Sequence, residues 1–350
     1  MVEPLRNAVI EITNRCNLRC PHCASTSGAA RPNELTLAEI DALLSDLCEL
    51  GGEEITIIGG EALLRPDWVE ICQEVRRRDL RLVLITNGLL LRNNEPALRD
   101  LVRLEPHVIG ISVDGATPAS YRRWRGVDAL DDLLRLCRRL LEQGHENVNA
   151  ITTFWRENLA EFDTFAELLR GTGITWQIQI ANRGGERFDA QRFVTIDEFA
   201  WLTSRMRDIL ASGDTSLRLL PMDDFGYFPL DPALAFLHQT WGGCIAGVEL
   251  VGIRSNGDVL GCLSLGDDFV ETNLREVPLA EIWHSEKFFQ RFRQKEAHLR
   301  GHCARCAFAH ECRGGCSAMA YSATGSLACN PYCIRHLETR ALLGEASTET

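Results

Sequence analysis

The stretch TNRCNLRCPHC, Thr13 to Cys23, places Cys16, Cys20 and Cys23 within eight residues in the spacing C-x3-C-x2-C. Eight of the fourteen cysteines return beyond residue 240, among them CARCAFAHECRGGC, which reads C-x2-C-x5-C-x3-C from Cys303 to Cys316. Thiols set this close together form disulfides, ligate a metal or an iron–sulfur cluster, or simply fill a core. Disulfide frameworks belong to oxidising compartments. The opening MVEPLRNAVIEI has no basic segment leading into a long apolar core, and no window approaches the roughly 18 uninterrupted apolar residues of a membrane span. The chain therefore reads as cytoplasmic and free of membrane segments, which makes metal or redox chemistry the leading explanation for the clustered thiols. Three thiolates hold three corners of a [4Fe–4S] cluster, which takes four ligands, and leave one iron open. Zinc with three thiolates and a water is the alternative. Cys48, Cys72 and Cys137 lie in helical patterns without cysteine neighbours and read as buried small apolar residues.

Such thiols need a scaffold that brings them to one place. Hydrophobic residues make up 45% and charged residues 25% of the 350 positions, an ordinary globular composition. The formal net charge of -12 argues against a nucleic-acid partner, whose phosphates require clustered Lys and Arg. The basic runs Arg76 to Arg78 and Tyr121 to Arg125 are short and read as solvated faces or local structure. Six apolar or β-branched runs, AVIEI, EITIIG, RLVLIT, VIGISV, NVNAITTF and ITWQIQI, alternate with stretches of helical length. Thr36 with Glu39, and Thr195 with Glu198, have the spacing of helix capping boxes. Six βα units predict an α/β fold, a partial (β/α)6 TIM-like barrel with function at the C-terminal ends of its strands. The barrel is expected over residues 1–185 and a connecting helical and loop segment over 186–240. A small, cysteine-rich, mostly irregular domain follows over 241–338, with a tail at 339–350.

The cysteine loop follows the first strand, and Gly59-Gly60-Glu61 ends the second. Glycines there let backbone approach a ligand, and a carboxylate can receive an ammonium group. ITNG (Ile85 to Gly88) and ISVDG (Ile111 to Gly115) end the next two strands. In this order the motifs resemble the radical S-adenosylmethionine (radical SAM) family. The resemblance implies that Cys16, Cys20 and Cys23 ligate a [4Fe–4S] cluster. Its open iron chelates S-adenosylmethionine, whose cleavage yields a 5′-deoxyadenosyl radical that takes a substrate hydrogen. It also implies that His22 packs near the adenine, that Gly59, Gly60 and Glu61 take the methionine amine, and that Asn87, Ser112 and Asp114 contact the cofactor. The common proline after GGE is Ala62 here.

With such a core, the C-terminal cysteines resemble the SPASM extension, which binds two auxiliary iron–sulfur clusters of the [4Fe–4S] type. By motif, Cys244, Cys262 (five positions after Gly257) and Cys316 hold the inner cluster. Cys303, Cys306, Cys312 and Cys333 hold the outer one, with Cys329 as the alternative last ligand. The resemblance implies an oxidoreductase that crosslinks, dehydrogenates or epimerises a ribosomally made peptide. The alternatives are a dehydrogenase or epimerase of a small hydroxylated metabolite such as an aminocyclitol or sugar, and a non-catalytic iron–sulfur electron carrier. The first strand begins too early to leave room for an N-terminal recognition domain, so a separate peptide-recognition protein is an expected partner. A low-potential donor such as flavodoxin or ferredoxin is another. Asp223, Asp224, Asp267 and Asp268 are candidate bases, and Leu263 stands where sulfatase-maturing relatives carry aspartate.

Overall fold

The computed structural model describes residues 3–183, 185–225, 228–235 and 242–344; the side chain of Asp223, Trp241 at the expected domain boundary and the tail from 345 lie outside them. The six expected strands form as β1 (Asn7–Glu11), β2 (Glu54–Ile58), β3 (Arg81–Thr86), β4 (Val108–Ser112), β5 (Val148–Phe154) and β6 (Thr175–Ile180). All pair in parallel with their sequence neighbours. Parallel strands covered on both faces read as continuous apolar runs, and every residue of β5 is buried.

Helices α1 (Leu37–Glu49), α2 (Trp68–Arg77), α3 (Glu95–Leu104), α4 (Pro118–Arg125), α5 (Leu130–Glu142) and α6 (Phe162–Leu169) make the crossovers. The Thr36 capping box starts α1, and the Thr195 box starts α7 (Ile196–Ala211). In each, the threonine side chain accepts from the third backbone N–H of the helix while the glutamate reaches back to the cap, so two orphan donors are satisfied reciprocally. Leu43, Leu44 and Leu47 of α1 and Leu133, Leu134 and Cys137 of α5 are buried in the core.

The sheet runs past the six-strand pattern at both edges, in the order β10-β9-β8-β1-β2-β3-β4-β5-β6-β7. Strand β7 (Arg218–Pro221) lies parallel to β6, inside the segment expected to be helix and loop. Pro221 is tolerated there because β7 is an edge strand with no further neighbour among the described residues. Strand β8 (Leu250–Ile253) lies parallel to β1 and continues through β9 (Asp258–Leu260) and β10 (Val270–Asn273), both antiparallel to their neighbours. The cysteine-rich region is thus joined to the barrel through hydrogen-bonded strands. Gly257, at φ +92°, makes the β8–β9 turn that brings Cys262 past the end of β9. No helix among the described residues is long and apolar enough to cross a membrane.

Candidate active site

The parallel register brings the C-terminal ends of β1 to β6 to one edge, where a cavity of about 240 Å³ opens. Its walls include Cys16, Cys20, Cys23, His22, Gly59, Gly60, Asn87, Ser112 and Arg125. The cysteine loop is closed at its base by a bridge between Arg15 and Gly28, with Cys16 N donating to Gly28 O at 3.0 Å and Gly28 N to Asn14 O at 3.0 Å. Glu34 Oε1 accepts from the Thr13 hydroxyl and from the backbone N–H groups of Asn14 and Arg31, which fixes both limbs. Each sulfur receives one donor at 3.4 Å: Leu18 N at Cys16, the Arg125 guanidinium at Cys20, and Ser27 N at Cys23. Burial pushes the Cys16 thiol up to about 11 and raises Cys20 as well. Three sulfurs on one loop, each already holding an N–H donor, with Cys16 and Cys20 disfavoured by burial as isolated thiolates, are a donor set that suits an iron–sulfur cluster.

Gly59 and Gly60 line this cavity, and the structure adds a second reason for glycine. A Cβ on Gly59 would sit 2.6 Å from Thr13 O, and one on Gly60 would sit 2.5 Å from both Asn14 O and Arg15 O. The bare backbone lets the end of β2 lock onto the cysteine loop, with Gly60 N donating to Thr13 O at 2.7 Å and Glu61 N to Arg15 O at 2.8 Å. We expect Gly60→Ala to push the loop off this clamp and lower stability by about 1–3 kcal/mol, the usual cost of overpacking. Denaturation midpoints and iron content, both reduced, check this.

The Glu61 carboxylate, expected at the methionine amine, stands outside the cavity lining. It is 1% exposed and accepts from Thr86 Oγ1 at 2.6 Å, Asn87 N at 2.7 Å and Leu63 N at 3.2 Å. These bonds hold the β3 turn, and the end of β2 presents Gly59 and Gly60 to the cavity. Asn87, shaped by that turn, donates from its own amide to Asn17 Oδ1 at 2.8 Å.

Asp114 is likewise set behind the cavity wall. It is fully buried and binds His22 Nε2 at 2.8 Å, Arg125 Nη2 at 2.5 Å and Thr153 N at 2.8 Å. Burial alone would raise its carboxyl; the charges of Arg125 and His22 outweigh that and hold it well below the usual carboxylate range. Asp114 braces His22 and Arg125, both of which line the cavity. His22 stacks on Trp155 with ring centroids 4.3 Å apart. Among the described residues, His22 Nδ1 and Arg125 Nε are buried without a hydrogen-bond partner, which fits a polar ligand in this cavity.

Arg125 was missed in the sequence, where YRRWR reads as a basic surface run. The signal was its place at the last turn of a helix following ISVDG, with tryptophan just before it. Arg122 is exposed, whereas the side chain of Arg125 is only 11% exposed.

The C-terminal thiols fall into two neighbourhoods. Burial raises Cys316 well above a free thiol, reinforced by the negative charges of Asp224, Cys244 and Cys262. Cys244 Sγ lies 3.1 Å from the Ser317 hydroxyl. Cys333 is pushed up to about 12 by burial, with Cys312 and Cys306 adding to it, and its charge is also felt at Cys303. Cys329 shares a hydrogen bond with Cys303, which raises Cys303 and lowers Cys329; His302 Nδ1 lies 3.5 Å from the Cys329 sulfur.

Asp224 accepts from Ile180 N at 2.7 Å, at the mouth of β6, and its charge reaches Cys316. Asp267 and Asp268 lie elsewhere, on a second cavity of about 400 Å³ that shares Ala24 with the first. Glu11, Arg31, Glu186 and Arg254 also line it, with Arg31 paired to Glu11 at 2.7 Å and Arg254 to Asp267 at 2.6 Å.

The radical SAM superfamily matches residues 10–169, and an iron–sulfur cluster-binding domain, SPASM, matches residues 244–307. The chain is 30% identical to the mycofactocin maturase MftC of Mycobacterium tuberculosis over 316 residues, 88% of this chain and 77% of that protein. It is 28% identical to an AdoMet-dependent heme synthase of Methanosarcina barkeri, over 93% of this chain and 95% of that one. The fold is that of Streptococcus suis SuiB, solved with the precursor peptide SuiA, at a TM-score of 0.73 and 16% identity, over 96% of this chain and 75% of SuiB. Three thiols on one loop at the strand ends, the thiol-rich extension paired to the same sheet, and these likenesses agree: the chain is an enzyme that uses S-adenosylmethionine and iron–sulfur clusters, and it belongs to the radical SAM superfamily with a C-terminal SPASM domain.

Proposed function

We propose that this enzyme is an oxidoreductase that modifies a ribosomally made peptide by crosslinking, dehydrogenation or epimerisation. When bound, the cluster and S-adenosylmethionine supply a 5′-deoxyadenosyl radical for hydrogen abstraction. In this reading Cys16, Cys20 and Cys23 hold the cluster. The Gly59 and Gly60 backbone and the Arg125 guanidinium position the amine and carboxylate of the methionine moiety, and Asn87 and Ser112 flank the sugar. His22, braced by Asp114 and Trp155, packs at the adenine. Cys244, Cys262 and Cys316 hold an inner auxiliary cluster. Cys303, Cys306, Cys312 and Cys333 hold an outer one, with Cys329 as a neighbour to Cys303. The observation that carries the peptide reading is the second cavity: it is about 400 Å³, adjoins the cysteine cavity at Ala24, and is lined by charged side chains of both signs. Such walls suit a polar chain with its own charges and amides, and suit a flat apolar macrocycle poorly. The maturase and the peptide-bound SuiB structure point the same way. The activity belongs with a reducing cytoplasm, a low-potential electron donor and a separate peptide-recognition protein.

The experiment is anaerobic turnover with dithionite or flavodoxin, S-adenosylmethionine and a precursor peptide encoded beside the gene. A peptide losing two mass units, or exchanging an α-hydrogen for deuterium, together with 5′-deoxyadenosine, is the expected result. An unchanged peptide alongside a converted aminocyclitol or tetrapyrrole would replace the peptide reading. Absence of 5′-deoxyadenosine with every substrate would return the protein to electron transfer.

A further inference from the structure

Lys295 is 3% exposed, and no carboxylate among the described residues forms an ion pair with it. Its neighbour Glu296 turns outward to His310 at 2.9 Å. The ammonium donates instead to Gly315 O at 2.8 Å and to Ser317 Oγ at 3.0 Å. An ammonium has hydrogens and no lone pair to offer, so Ser317 accepts from it, and the serine hydrogen is left for its other neighbour, the Cys244 sulfur at 3.1 Å. Ser317 is 1% exposed, so water does not compete for that hydrogen. The result is a directed chain, Lys295 to Ser317 to Cys244, anchored on the residues that flank Cys316.

A buried cation without a counter-charge is strongly disfavoured. Thiolate-bound iron–sulfur clusters carry negative charge, and both nearby positive charge and hydrogen bonds to their sulfurs raise their reduction potentials. We propose that Lys295 and Ser317 form a potential-setting pair for the inner auxiliary cluster, supplying its counter-charge and a hydrogen bond to the Cys244 ligand. This rests on the assignment of Cys244, Cys262 and Cys316 to that cluster. It distinguishes the inner site from the outer one, where Cys329 and His302 sit beside Cys303.

The test is an EPR-monitored redox titration of the fully reconstituted enzyme, with iron counted in every preparation. Lys295→Met keeps the length and apolar stem of the side chain but removes its charge. It is expected to lower the midpoint of the inner cluster so that, at a fixed potential, its reduced-to-oxidised ratio falls about tenfold, 59 mV for a one-electron couple. Ser317→Ala leaves the ammonium and severs the link to sulfur, and is expected to move the same midpoint part of that way. The signals of the N-terminal and outer clusters stay where they are in both variants. An inner-cluster signal of normal intensity whose midpoint moves in neither variant would overturn the potential-setting role alone. A wild-type spectrum with no signal that Cys244→Ser removes would overturn the ligand assignment beneath it. Should Lys295→Met fail to retain iron, Ser317→Ala decides by the same criterion.

Discussion

Replacing Cys16, Cys20 and Cys23 together by alanine is expected to remove about four irons per chain, the content of one [4Fe–4S] cluster, and to bring 5′-deoxyadenosine formation below detection. The substitution is mild for the loop itself. The Arg15–Gly28 bridge, the Glu34 hydrogen bonds and the clamp from Gly60 and Glu61 involve none of the three side chains. What disappears is a set of sulfurs around one cavity, each with a single N–H donor, so the loss is chemical rather than structural. The two C-terminal groups lie on a different part of the chain, and the irons they hold are expected to remain, visible as reduced-cluster signals. Iron analysis, EPR and chromatography of the nucleoside product check each part. A protein whose iron content did not change, or that carried zinc on these thiols, would refute the N-terminal assignment.

The second large effect is on stability. Arg125→Met is expected to destabilise the protein by about 3–5 kcal/mol, the range for stripping one partner from a buried ion pair. In the native protein, the cation keeps the Asp114 carboxyl depressed despite its complete burial. A group depressed on folding contributes stability above its unfolded value, near 3.9, and loses it as the pH falls toward the folded value. The native contribution is therefore constant from pH 5 upward and fades only in acid. We expect that, without Arg125, the cost of burial outweighs the remaining bonds from His22 and the Thr153 N–H, so that the carboxyl rises above its unfolded value. The contribution then reverses: it is present below about pH 4 and is lost as the pH climbs toward neutrality. Anaerobic denaturant titrations at pH 4.5 and 7.5 should show the gap between native and variant widening with pH. Asp114→Asn added to Arg125→Met should recover much of the loss at neutral pH, because it removes the orphaned charge. A gap independent of pH would sink this account of the pair.

How much of this was legible beforehand differs from element to element. Strand positions came through because parallel, doubly covered strands are short runs of β-branched and aliphatic residues, and because capping boxes mark the starts of α1 and α7. The cysteine loop was legible for the same local reason: its three thiols lie within eight residues of chain. Strand β7 was not, since four residues ending in proline look like a connection until a neighbouring edge offers hydrogen bonds. Glu61 and Asp114 sit in the expected motifs, and packing turns their carboxylates onto protein partners. A carboxylate at a strand end is equally able to face a ligand or the next turn, and only packing chooses. Here Thr86 and Asn87 claim one, and His22 and Arg125 claim the other.

By itself, the sequence determined the order of the six central strands and their helices, the edge at which function collects and the spacing of the thiols, because periodicity, caps and short motifs are properties of neighbouring residues. Tertiary structure alone decided which distant groups stand behind those thiols. His22 meets Asp114 across 92 residues, Arg125 reaches Cys20 across 105, and Glu11 accepts from Ser255 across 244. Contacts at such separations follow from sheet register and from the need to pair buried charge, and neither leaves a periodic trace along the chain.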